Sequence, residues 1–192
     1  MNKLIYTATV LALCFSGQAG AAPTLQVRQP QTAQKQMTLA SADIRPKAKF
    51  KAAQVANSFG CSGQNISPEL HWSNVPAGTK SFVVTMYDPD APTGSGFWHW
   101  NVYNIPADTR KLAQGAANQL PAGAKMLKND AGEAGYIGAC PPAGDKAHRY
   151  IFTVYALNTT LDLPDGTSPA VLGFNLNGKV LGQAQLTGFY GR

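Results

Sequence analysis

The chain has 192 residues, with 16 Lys and Arg against 10 Asp and Glu and a formal net charge of +6 at pH 7. That excess is thinly spread: Lys35, Arg45, Lys47, Lys49 and Lys51 form its one cluster, with Phe50 the single aromatic among them. A single-strand nucleic-acid surface interleaves cations with several aromatics, so the composition argues against nucleic acid as a partner and reads the cluster as a solvated segment.

Residues 1–21 have the layout of a secretory signal peptide. Lys3 supplies a basic start, residues 4–15 an apolar run, and Ala19, Gly20 and Ala21 an A-x-A cleavage site. The run is too short for a permanent anchor, so the expected product is a periplasmic or secreted protein and not an integral membrane protein. Leu13 before Cys14 is too large for a lipidation site. Residues 22–40 are rich in Gln, Ala and Thr without a period and read as a flexible leader. Residues 41–192 read as one domain, long enough to bury a core. An exported chain left with two cysteines, Cys61 and Cys140, favours a disulfide between them over two unpaired buried thiols. Neither has the CxxC neighbour of a zinc site.

Within the domain, NISPEL and VPAG are turn-like. Residues 81–87, SFVVTMY, form a strand that is largely apolar on both faces, which predicts a central strand covered on each side. A loop, PTGSG, then leads into a second strand, FWHWNVYN. Residues 107–134 read mostly as loop, and GYIGACPPAG has too much Gly and Pro for regular structure. RYIFTVYAL, residues 149–157, is the clearest strand. Residues 168–185 read as the one good helix, near the C-terminus: Ser168 caps, Pro169 starts, and Leu172, Leu176, Val180 and Ala184 repeat at i, i+4. Many short strands with few helices predict an all-β fold, a two-sheet antiparallel Greek-key-like sandwich with short peripheral helices.

Asp88 and Asp90 close the first strand, nine to eleven residues before His99 at the entry of the next. Pro141 and Pro142 precede His148 and Tyr150 in the same manner. Two of the chain's three histidines thus stand behind proline-rich loops at strand entries, which predicts one shared cavity. In it one of the two carboxylates would orient an imidazole, and two imidazole donors would take a phosphate or carboxylate. Anion binding by two charged rings would be tighter near pH 6 than near pH 8. The turn through DPDAP is expected to need a cis Ala91–Pro92 bond. His71, with no carboxylate partner in view, reads as structural. No nucleophile elbow accompanies these groups, so binding and not catalysis is expected, with no cofactor. Two histidines and a carboxylate could hold iron or zinc, but a metal is not the favoured reading.

The segments FGCSGQNISPELHW, DPDAPTGSGFWHW, the following NIP, and GYIGACPPAGDKAHRYIFTVYAL resemble the phosphatidylethanolamine-binding protein family, and within it the bacterial Raf kinase inhibitor-like branch. The resemblance implies the two-sheet sandwich and a pocket for phosphate or a phospholipid headgroup. It implies a ligand-binding role for Asp88, Pro92, His99, Pro141, Pro142, His148 and Tyr150, with Asp90 also in the motif. The rival it implies is an inhibitor of a protein partner, a kinase or protease. The physiological ligand, a protein target and a homodimer are left open.

Overall fold

The computed structural model describes residues 36–46 and 48–192. The expected signal peptide and most of the expected leader lie outside the described residues. Among the described residues eight strands form two antiparallel sheets. The smaller has the order β1 (Thr38–Ala40), β2 (Leu70–Ser73), β5 (Lys111–Leu112). The larger has the order β6 (Lys125–Met126), β4 (Phe97–Pro106), β3 (Ser81–Asp88), β7 (His148–Leu157), β8 (Val180–Tyr190). The all-β sandwich is therefore observed, with one short helix, α1 (Pro169–Asn175). Among the described residues no helix is long and apolar enough to cross a membrane.

β3 is central, as its two apolar faces require. Phe82, Val84 and Met86 enter the core that also holds Leu39, Leu70 and Trp72 of the small sheet. Val83, on the opposite face, joins Tyr155, Leu172, Leu176 and Val180 in a second core under α1. The antiparallel pairing sets the last residue of β3 beside the first residues of both β4 and β7. Residues far apart in the chain thus meet at one rim of the sheet.

Three expectations need correction. The helix spans Pro169–Asn175 and not 168–185. Ser168 does cap it, accepting from the Val171 N–H. Val180 and Ala184, however, lie on a strand whose buried positions alternate. A spacing of four fits both a helical stripe and every second residue of a strand, and Gly178, at φ 73°, ends the helical run before them. The leader extends too far: residues 38–40 form β1, and Met37 and Leu39 are buried. The Ala91–Pro92 bond is trans, since the described residues contain no cis peptide. Two short-range bonds make the reversal instead: the Asp90 N–H donates to Asp88 Oδ1 at 2.8 Å, and the Thr93 N–H to the Ala91 carbonyl at 2.8 Å.

Candidate ligand-binding site

Asp88 ends β3 with 2% of its surface exposed. One oxygen accepts from the Asp90 N–H, and the other accepts from His148 Nδ1 at 2.8 Å. An ionised carboxylate can only accept, so His148 carries its proton on Nδ1. His148 Nε2 lies 3.5 Å from an Asp145 oxygen at the surface. Burial raises the Asp88 pKa, and the bonds from His148 and from the Asp90 backbone oppose that rise.

His99 is placed by a bulge. Met86 pairs with Trp100 and Tyr87 with Trp98, which leaves His99 with no residue opposite it on β3. A bulge re-aims the extra side chain. The His99 backbone turns to the segment after Gly135, where its carbonyl accepts from the Ile137 N–H at 3.1 Å. His99 Nδ1 in turn donates to the Ile137 carbonyl at 2.9 Å. That segment lies directly on residues 54–56: a Cβ added at Gly138 would fall 2.5 Å from the Ala56 nitrogen, so only glycine fits there. Burial pushes the His99 pKa down to about 4, against the raising effect of its backbone hydrogen bonds.

Tyr150 stands edge-on to His99, with ring centroids 5.2 Å apart. Phe50 packs on its other side, also at 5.2 Å. Phe50 reaches that place because the register partner of Tyr150 on β8 is Gly188, where a Cβ would meet the Phe50 ring at 2.0 Å. The Tyr150 hydroxyl is buried without a hydrogen-bond partner among the described residues. Burial first, and then the nearby Asp88 charge, push its pKa up, so it remains a donor.

These groups enclose a cavity of about 290 Å³. Asp88, Pro92, His99, Pro141, Pro142, His148 and Tyr150 all line it. Asp90 does not. It holds Arg149 instead, accepting from Nη2 at 2.7 Å, from Nε at 2.9 Å and from the Arg149 N–H at 2.8 Å. The Arg149 hydrogen bond keeps the Asp90 carboxyl below the usual range, against the effect of burial. Of the two carboxylates, Asp88 is the one that orients an imidazole. Asp90→Ala is expected to destabilise the fold by about 1.5–3 kcal/mol, the range for a hydrogen bond to a charged group, while leaving ligand affinity within about twofold. Paired denaturation and binding curves check both halves.

The expected orientation of one imidazole by a carboxylate is present at His148, and the picture of two imidazole donors is corrected at His99. His148 spends its Nδ1 proton on Asp88. His99 spends its proton on the Ile137 carbonyl, with the Gly138 backbone also close to the ring. A folded-state pKa near about 4 means that the unfolded chain protonates this ring first as pH falls. The stability it contributes is complete above pH ~6.5 and lost as pH falls through the folded value, on the order of 3 kcal/mol in all. Urea midpoints at pH 7, 5.5 and 4 should show this slope, and His99→Gln should remove most of it.

Sequence reasoning missed Arg192, Phe59 and Phe97, which also line the cavity. Phe97 sits two residues before His99 in the same strand, so alternation could have found it. Phe59 could have been expected once Cys61 was paired with Cys140. That disulfide is present, with a Cα–Cα distance of 5.9 Å, and Cys140 itself is in the cavity wall. Arg192 carried no sequence signal. Its Nε donates to the Pro141 carbonyl at 2.8 Å, Nη1 to the Gly60 carbonyl at 2.8 Å and Nη2 to the Phe59 carbonyl at 3.4 Å. It thus ties together the two loops that the disulfide joins, and among the described residues no carboxylate neutralises it. His71, outside the cavity, does have a carboxylate partner, Glu69 at 2.9 Å. Among the described residues no three His, Cys, Asp or Glu side chains are grouped to hold a metal ion.

A small cavity at the rim of a β-sandwich, walled by prolines and aromatics around a few polar atoms, has the form of a small-ligand site. The comparisons agree in family. The phosphatidylethanolamine-binding protein family model matches residues 40–191, and the chain belongs to that family. It is 51% identical over 158 residues to the UPF0098 protein YbhB of Escherichia coli, covering 80% of this chain and 99% of the relative. It is 43% identical over 194 residues to the UPF0098 protein YbcL of the same organism, covering 98% of each. The crystal structure of Escherichia coli YbcL, described as a new member of the mammalian PEBP family, superposes with a TM-score of 0.79 at 45% identity, over 82% of this chain and 99% of that one.

Proposed function

We propose that this protein is an exported binding protein for a small anion, a phosphate or a phosphorylated headgroup, held in the cavity between Asp88, His99, His148 and Tyr150. The observation that carries the reading is the Tyr150 hydroxyl, a fully buried donor in the cavity wall that lies near the Asp88 carboxylate but has no acceptor at hydrogen-bond geometry. Leaving such a donor unmet costs about 1–3 kcal/mol, which a ligand oxygen would recover. The Arg192 guanidinium, a cation that also lines the cavity, supports a negative ligand. The prolines at 92, 141 and 142 contribute shape without offering N–H groups. We read the pocket as a binding site and not a catalytic one, because the cysteine in its wall, Cys140, is held in the disulfide and offers no free nucleophile.

Export is supported by the signal-like layout of residues 1–21 and by the Cys61–Cys140 disulfide, a bond that persists in oxidising compartments. The test of the binding reading is calorimetry with phenyl phosphate on the parent protein and on Tyr150→Phe. Removing an unsatisfied hydroxyl should leave the unfolding midpoint unchanged or slightly higher, yet weaken binding about tenfold or more. Equal affinity in the two proteins would remove the observation on which the reading stands.

A further inference from the structure

The polar atoms of the cavity specify the protonation state of its ligand, on the premise that the cavity is an anion site. His99 Nδ1 faces the Ile137 carbonyl oxygen, an atom that only accepts. The ring proton is therefore fixed on Nδ1, and a neutral imidazole then presents a bare lone pair at Nε2. Turning Nε2 into a donor requires a second proton on a ring that is 6% exposed and touches no carboxylate.

The charged and titratable groups around it do not supply that proton. From β3 comes Asp88, whose oxygens already accept from His148 and Asp90. From β7 come His148, bonded to Asp88 and facing Asp145, and Tyr150, a donor. Beyond β8 comes Arg192, a cation. A fully ionised ligand oxygen set against His99 would place lone pair against lone pair, and a dianion would also meet the Asp88 charge. A ligand oxygen that carries a hydrogen satisfies Nε2.

We infer that the cavity recognises a phosphoryl group by its proton: it takes the monoanion of a phosphate monoester, whose P–OH donates to His99 Nε2 while its ionised oxygens accept from the Tyr150 hydroxyl beside the Arg192 charge. A sulfate monoester has the same shape and the same single negative charge but no hydrogen to donate at neutral pH, so it is refused. A site built around one hydrogen bond rejects the analogue lacking it more strongly than an apolar pocket rejects a missing methylene.

The experiment is calorimetric titration of the full disulfide-bonded protein with phenyl phosphate and phenyl sulfate, from pH 5 to pH 8. Phenyl phosphate should bind best below its second ionisation, near ~6 for such monoesters, and weaken about fiftyfold from pH 6 to pH 8 as the monoanion disappears. Phenyl sulfate should bind about a hundredfold more weakly than the phosphate at pH 6. A monoester with a lower second ionisation should shift the midpoint of the profile down by the same amount, which titration of a protein histidine would not do. Equal binding of the sulfate, or a phosphate affinity that is flat across this range, would overturn the proton reading while leaving the anion site in place. No binding of either ester would overturn both. Nitrogen-15 spectra of the imidazoles give a second readout, with His99 Nε2 remaining an unprotonated acceptor in the complex. A His99 imidazolium in the bound state would contradict the inference even if the affinities matched it.

Discussion

Reduction of the Cys61–Cys140 disulfide is expected to destabilise the protein by about 4.5 kcal/mol, the chain-entropy value for closing a loop of this length. The two cysteines are separated by 79 positions, so the bond removes a large part of the freedom of the unfolded chain. For a domain of this size each kcal/mol moves the melting temperature by roughly 2–4 °C, which gives a fall of about 9–18 °C. Thermal unfolding with and without reductant, and of a Cys61→Ser, Cys140→Ser double variant, should agree. The Arg192 bonds to the Phe59, Gly60 and Pro141 carbonyls join the same two loops and remain after reduction. The cavity wall is therefore expected to loosen and not to vanish, with ligand affinity falling less than stability does. An unchanged melting temperature would mean that these contacts, and not the covalent bond, hold the loops.

Asp88→Ala should be the most damaging single change at the site, at about 3–5 kcal/mol, the range for removing one member of a buried ionic pair. The substitution leaves His148, itself buried, without its 2.8 Å acceptor. It also removes the acceptor for the Asp90 N–H, which shapes the turn into the cavity. Asp88→Asn keeps the volume and one acceptor oxygen and should lose about half as much. Denaturant midpoints should fall with an unchanged slope, as expected when the native state alone is affected. Both variants should also lose ligand binding, in contrast to Asp90→Ala, whose partner Arg149 lies away from the cavity.

Much of the architecture was legible because it depends on local pattern. The doubly apolar SFVVTMY could only be a covered central strand, and it is one. The meeting of His99 and His148 was legible because both follow proline-rich loops at strand entries. Four features were not legible, each for a physical reason. The spacing of Leu172, Leu176, Val180 and Ala184 is shared by helix and strand, and the glycine that divides them gave no scale of where the change falls. The division of labour between Asp88 and Asp90 depends on which of two side chains, two residues apart, faces the cavity. A cross-strand cation, Arg149, settled it. The protonation of His99 depends on the Ile137–Gly138 backbone, brought across by a bulge with no sequence signature. Arg192 was invisible for a similar reason: its partners are backbone carbonyls from two distant loops, and backbone atoms leave no trace in sequence.

The central claim, that the Asp88–His99–His148–Tyr150 cavity is an anion site, is tested most directly by amide and imidazole chemical-shift mapping during titration with phenyl phosphate at pH 6. Saturable shifts are expected to concentrate on Phe59, Phe97, His99, Ile137, Gly138, Tyr150 and Arg192, which line the cavity from five separate segments of the chain. Saturable shifts centred on other residues, or none at millimolar ligand, would contradict it.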